Sequence, residues 1–199
     1  MATTFFLVRH AAHGLLGGIL AGRMPDVHLD GIGAAQARSL GRRLSREDIS
    51  AVHSSPRERA AETAQEIAAA LGLEVTIEPE IDEIDVGEWT GRSFEELRSD
   101  PRWQDWNASR STVRTPSGES MGDVQDRVMR YLNRHVRQGE DERIVSVSHA
   151  DVIKAALFGC LGLSFDRVHQ IEISPAGLST IIMGEWGSKV HSVNEEVRL

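Results

Sequence analysis

The chain has 199 residues, 40% of them hydrophobic and 26% charged, which suits one folded domain with a two-sided core and excludes a disordered chain. Its 22 Lys and Arg against 30 Asp and Glu leave a net charge of −8, so the bulk surface repels nucleic acid and anionic membranes, and an anionic ligand needs a locally basic pocket. A lone cysteine, Cys160, excludes an internal disulfide, and the longest near-apolar stretch, Val152 to Leu163, is interrupted by Lys154 and is too short to span a membrane.

Thr3 to Val8 reads as a buried strand that ends on Arg9 and His10. Its apolar run, Phe5 to Val8, is too short for a secretion signal, and with the single cysteine this leads to a cytoplasmic expectation. Asp30 then caps a helix to Leu44, with Ala34, Ala37, Leu40 and Leu44 at helical spacing. Ile49 to His53 is the next strand, and Pro56 opens a helix that runs to Leu71 and is closed by Gly72. Glu74 to Ile77 gives a third strand.

Residues 90 to 118 break the alternation with Pro101, Pro116 and Gly118, and read as an inserted helical lid. Trp89, Trp103 and Trp106 lie in or beside it, either as an aromatic wall for a ligand or, the favoured reading, as the insert's own core. Glu119 to about Arg137 is a long helix with Val124, Val128, Tyr131 and Leu132 on one side. Arg143 to Val147 is a fourth strand that delivers His149 ahead of the apolar helical stretch Val152 to Leu157. Val168 to Ile173 and Leu178 to Met183, joined by Ser174-Pro175-Ala176-Gly177, read as antiparallel edge strands. The expected fold is α/β in three layers: a mostly parallel six-stranded sheet with one antiparallel edge strand, helices on both faces and a small helical lid. A single domain over residues 1–199 accommodates it, with the lid at about 90–118.

Ligands of open parallel sheets bind beyond the carboxyl ends of strands. Arg9 and His10 stand at one such end and His149 at another. After the second strand, SSPRERAAETA places Arg57 and Arg59 in the first turn of a helix, where free N–H groups gather and a cation opposes the dipole. Two arginines there call for an anion, although for Arg57 the favoured reading is a solvated face with Glu58 and Glu62. Arg9, His10, Arg59 and His149 together make a donor-rich cup suited to the oxygens of a transferring phosphoryl group. Two histidines with nearby carboxylates are also familiar metal ligands, but flanking arginines repel a divalent cation and no close spacing links the histidines. No metal and no cofactor are expected.

These strings resemble the histidine phosphatase superfamily, which also contains the cofactor-dependent phosphoglycerate mutases, over most of the chain. LVRH at Leu7 to His10 is similar to the family's start. Gly33, Gln36 and Ala37 match its following helix, and SSPRERAAETA resembles its phosphate-binding segment with Arg59, not Arg57, at the arginine position. IDEIDVGEWTG at Ile81 to Gly91 looks like the acid/base segment, with Glu83 at the proton donor and Glu88 as its nearest rival. SGES at Ser117 to Ser120 and VSHA at Val147 to Ala150 match the late motifs.

The resemblance implies a phosphomonoesterase acting on a small phosphorylated metabolite. Neutral His10 attacks phosphorus, with one ring nitrogen fixed as a donor to a backbone carbonyl. Arg9, Arg59 and His149 hold the nonbridging oxygens, and Glu83 serves as acid and then base. A phosphoglycerate mutase and an inactive phospholigand-binding module are the alternatives. The neighbouring arginines oppose the acid form of Glu83, so burial or substrate charge must offset them. The chain departs from the family after the nucleophile, where Ala11, Ala12, His13 and Leu16 replace a glycine, a polar pair and an asparagine. His28 and Asp30 stand where proline and threonine are frequent, and Ala150 replaces a glycine. His13 is then the substitute donor to substrate, with Ala150 beside the phosphoryl group. No nucleic-acid or membrane partner is expected, and a homodimer is compatible with the sequence.

Overall fold

A computed structural model describes residues 2–136 and 141–197. Six strands, β1 (Ala2–Arg9), β2 (Ala51–Ser54), β3 (Val75–Ile77), β4 (Arg143–Ser148), β5 (Leu178–Gly184) and β6 (Gly187–Glu195), form one sheet in the order β3-β2-β4-β1-β5-β6. β1 to β4 are mutually parallel, whereas β5 pairs antiparallel with both β1 and β6.

Period-2 alternation in β1 produces the layers. Phe5 and Leu7 enter one core together with α5 (Met121–Val136) and α6 (Ala150–Leu161), while Phe6 and Val8 enter the other with α1 (Gly31–Leu44) and α2 (Glu58–Leu71). The Phe5 side chain is fully buried, and truncating it to alanine should cost about 3–5 kcal/mol. Asp30 accepts the Gly33 N–H at 2.7 Å, the cap anticipated for α1. The expected helix from Glu119 to Arg137 is observed as α5, and Arg137 lies outside the described residues.

Two boundaries differ from expectation with consequences for the site. Arg57 is the N-cap of α2, so Pro56 precedes the helix instead of opening it. The strand expected at Val168 to Ile173 is a 3-10 turn over Phe165–Gln170 followed by a link. Ser164 accepts the Asp166 N–H to start that turn, and Phe165 and Val168 pack into the α5/α6 core. The edge of β5 is taken by β6, whose polar sequence GSKVHSVNE hides a half-buried alternation. The one strand running against the others is therefore second from the edge.

Residues 90–118 carry two short helices, α3 (Phe94–Arg98) and α4 (Pro101–Ala108), started by a Ser93/Glu96 capping box and by Asp100. Trp89, Trp103 and Trp106 pack with ring centroids 5.2–5.8 Å apart, Trp89 and Trp106 being buried. They pack with one another and belong to the same core as α5 and α6, not to a separate core of the segment. No helix among the described residues is long and apolar enough to cross a membrane.

Candidate active site

β1 and β4 are parallel neighbours with Arg9 in register with Ser148, so the residues that follow them, His10 and His149, emerge side by side. Their ring centroids are 5.2 Å apart. β2 flanks β4 on the other side, with Ser54 in register with Val147, and so delivers the first turn of α2 and Arg59 to the same end. Sheet topology brings together three segments far apart in sequence.

His10 is buried, and its Nδ1 lies 2.9 Å from the Ala11 carbonyl, to which it donates when neutral. Nε2 is thereby left as a lone pair. Burial first, then Arg59 and Arg9, hold the ring well below the usual histidine range, so it is neutral at ordinary pH. The Arg59 guanidinium is only 1% exposed. Its Nη2 donates to the Gly22 carbonyl at 2.8 Å and to His149 Nδ1 at 3.2 Å, whereas Nε and Nη1 are buried with no partner among the described residues. Arg9 spends Nη1 on the Ile173 carbonyl at 2.6 Å, and its buried Nε is likewise unpartnered. Desolvated guanidinium donors without acceptors are costly, and an oxyanion among them supplies what they lack.

Glu83 closes the cup. Its Oε2 is 3.6 Å from Arg59 Nη2 and 3.3 Å from His149 Nδ1. Burial pushes the carboxyl up to about 7, Asp151 adding to the shift while Arg59, the Ile84 N–H and Arg9 oppose it. Its backbone carbonyl is gripped by Arg23 Nε at 2.8 Å and by Arg127 Nη2 at 3.1 Å. Glu88 stands outside, exposed and paired with Arg102 at 3.1 Å, which with Ser117 lowers its pKa.

Residues 5–196 match the histidine phosphatase superfamily, branch 1. The chain belongs to this superfamily. It is 32% identical over 195 residues to phosphoserine phosphatase 1 of Hydrogenobacter thermophilus, covering 94% of this chain and 90% of that one. A second protein of the same organism, described as a putative phosphoserine phosphatase 2, is 28% identical over 190 residues, covering 94% and 93%. Among solved structures, a histidine-to-alanine mutant of Entamoeba histolytica phosphoserine phosphatase in complex with phosphoserine superposes with a TM-score of 0.86, 28% identity and 97% coverage of each chain. The fold is that of the family, and the protein is one of its phosphatases.

Within this histidine phosphatase, His13 is buried, with its ring centroid 5.2 Å from that of His10. Its Nδ1 accepts the Leu15 N–H at 3.3 Å, so the neutral ring carries its hydrogen on Nε2. Burial, Arg59 and Arg9 lower its pKa to about 4. Ala150 is the first residue of α6, with His149 as N-cap, so its N–H belongs to the unpaired first turn. His28 is exposed and paired with Glu62 at 2.5 Å, away from this cluster.

Arg57 leaves the solvated face expected for it. Its Nε pairs with Asp82 at 3.0 Å and its Nη1 donates to the Arg23 carbonyl at 3.0 Å. No individual role was expected for Asp82, Ser55, Arg23, Glu119 or Arg127, although Ser55, Asp82 and Glu119 lie inside the strings SSPRERAAETA, IDEIDVGEWTG and SGES. Glu119 holds Arg23 at 2.9 Å and Arg127 at 3.0 Å, and so completes the grip on the Glu83 carbonyl. Arg127 carried a further signal, as a cation between Val124 and Val128 on the buried side of a helix. Arg110, in the 90–118 segment, stacks 3.7 Å over Trp106 and pairs with Asp151 at 2.8 Å, tying that segment to the start of α6.

Proposed function

We propose that the chain hydrolyses a small phosphomonoester through a phosphohistidine on His10, with no metal ion or cofactor taking part, and that phosphoserine is the first substrate to test. The observation that carries this reading is the free Nε2 of His10 beside a buried Arg59 whose Nε and Nη1 lack partners. A nucleophile and fixed donors thus share one cup, as phosphoryl transfer requires.

In the first step Nε2 attacks phosphorus, the bond to the ester oxygen breaks, and Glu83 gives its proton to the departing alcohol. Arg9 and Arg59 take the charge of the nonbridging oxygens, together with His13 Nε2–H and the buried His149. In the second step the Glu83 carboxylate takes a proton from water, which attacks the phosphohistidine and releases phosphate. A carboxyl near pH 7 suits both duties, because each form is well populated. An amino-acid substrate is supported by the names of the relatives and by the mixed charge around Arg9 and Lys154. Asp151 and Glu172 act on both cations, and Arg110 on Lys154.

Incubating chelator-treated protein with labelled phosphoserine should release phosphate and leave an acid-labile, base-stable label on the wild type that His10→Ala lacks. A phosphoglycerate mutase would instead isomerise phosphoglycerate with a bisphosphate primer. Absence of phosphate release across amino-acid, sugar and acid monophosphates, or label retained in His10→Ala, would refute the proposal.

A further inference from the structure

His149 turns its Nε2 away from the cup. That atom lies 2.7 Å from Ser55 Oγ, and Ser55 Oγ lies 3.2 Å from Asp82 Oδ1. Ser55 is completely buried, so its single hydrogen and its lone pairs can be assigned within the protein. Asp82 already receives the Glu83 N–H at 2.7 Å and lies against the Arg57 and Arg23 guanidinium groups, so it stands to Ser55 as an acceptor. The Arg57 N–H reaches Ser55 Oγ at 3.3 Å and can only donate. The one hydroxyl hydrogen therefore goes to Asp82, and His149 Nε2 must donate to Ser55.

The opposite side of the ring requires the same assignment. Arg59 Nη2, 3.2 Å from His149 Nδ1, has only hydrogens to offer, so Nδ1 accepts. Hence His149 carries its hydrogen on Nε2 and shows a lone pair to the cup. The groups facing the ring are Arg59 from α2, His10 and Arg9 from β1 and its end, Arg127 from α5, and Glu83 from the segment between β3 and α3. With burial, the cations among them keep it neutral while no anion is bound.

We propose that Ser55 and Asp82 are positioning residues: they lock His149 as the Nε2–H tautomer, so that the proton it gains on phosphate binding sits on Nδ1, the atom facing the phosphoryl oxygens. This rests on the cup being the phosphate site. The bound dianion offsets the surrounding cations, the Arg59 Nη2–H turns from Nδ1 to a phosphoryl oxygen, and a proton from solvent or from the monoanionic ester adds to the lone pair it leaves. The ring then donates from Nδ1 to a phosphoryl oxygen. Its Nε2–H stays on Ser55, and the Asp82 carboxylate stabilises the imidazolium through the hydroxyl.

Ring-nitrogen NMR of His149, titrated with inorganic phosphate, tests this without turnover. In wild-type protein the empty site should show hydrogen on Nε2 alone, and saturating phosphate should convert the ring to imidazolium. Ser55→Ala should mix the tautomers and weaken phosphate binding about 10- to 100-fold. Asp82→Asn should keep the tautomer but lower the pH at which the bound ring loses its second proton. A hydrogen on Nδ1 in the empty wild type would overturn the proposal. So would a Ser55→Ala protein of unchanged tautomer and phosphate affinity, even if its activity fell, because loss of packing alone moves neither reading. Failure of the His10 labelling with these spectra intact would instead count against hydrolysis.

Discussion

Glu83 Oε2 stands 3.6 Å from the Arg59 guanidinium, yet its carboxyl is raised to about 7. Removal from water outweighs the attraction of Arg59, and the Asp151 charge adds to the rise. The arginine is itself stripped of water and draws the carboxylate without compensating its lost hydration. A carboxyl that holds its proton up to about pH 7 thus survives beside the cation proposed to bind the phosphoryl group.

That balance sets the pH dependence. If phosphoryl transfer to His10 needs protonated Glu83, as proposed, kcat/KM for an alkyl phosphate should fall about tenfold per pH unit above about 7. Glu83→Gln should reduce turnover of phosphoserine by about 100- to 10,000-fold. Phosphoryl transfer from p-nitrophenyl phosphate, whose leaving group departs without a proton, should suffer much less. Single-turnover rates with the two esters between pH 5.5 and 9 check this, and equal losses on both would remove Glu83 as the acid.

Arg59 couples function to an energetic burden. Its Nε and Nη1 are desolvated without acceptors among the described residues, which offsets the Gly22 bond made by Nη2, so Arg59→Met should change stability little while lowering kcat by about 100- to 1,000-fold. Inorganic phosphate or vanadate should raise the melting temperature of the wild type and lose that effect in the variant. Thermal unfolding with and without the anion measures both, and an equal rise in the two proteins would place the anion elsewhere.

Much of this centre was legible in the sequence because its parts are strand-end residues. An apolar run closed by Arg9-His10 and another closed by His149 already fix which end of a parallel sheet they occupy. The order of strands was not legible: that β4 lies between β1 and β2 depends on contacts between segments some hundred residues apart. The outward-looking parts were missed for a related reason. Asp82 and Ser55 show no periodicity, and their roles follow from hydrogen bonds of 3.2 Å and 2.7 Å made across the fold. β6 escaped because an edge strand buries one face only partly, so polar residues satisfy it as well as apolar ones. His13, expected as a substitute donor, is buried beside His10, because the loop after β1 folds inward and bridges to Leu29.

The loop after His10 is held by a close approach at Gly33. A Cβ there would lie 2.0 Å from the Ala12 carbonyl oxygen, in a helix whose Gln36 also accepts the Ala12 N–H at 2.9 Å. Gly33→Ala should push Ala11 and Ala12 off α1, destabilise the protein by about 1–3 kcal/mol, and lower kcat by at least about tenfold as the His10 ring loses its carbonyl anchor. Urea unfolding and turnover together check it. A variant with wild-type stability and rate would mean that the loop gives way without moving the nucleophile.

The buried histidines make acid a stress on the fold, and His53 isolates that effect from catalysis. It lies on β2 behind the cup, with Nδ1 2.9 Å from the Tyr131 hydroxyl, which is itself 2.7 Å from Ser146 Oγ. Burial, His135 and Arg134 lower its pKa to about 4, against about 6.5 in the unfolded chain. Above pH 6.5 both states are neutral and the residue adds no slope. Between 6.5 and 4 the unfolded chain takes up a proton that the folded chain refuses, so stability falls with falling pH, by up to about 3 kcal/mol at the lower limit. Glu83 has the opposite sign: its folded pKa is raised, so stability rises as pH falls from 7 towards the ordinary carboxyl range. His53→Phe keeps the Tyr131–Ser146 bond and removes one titration. Its urea midpoint should start near or below the wild-type value at pH 8 and exceed it at pH 4.5, whereas midpoints that track in parallel would show that the ring does not resist protonation in the fold.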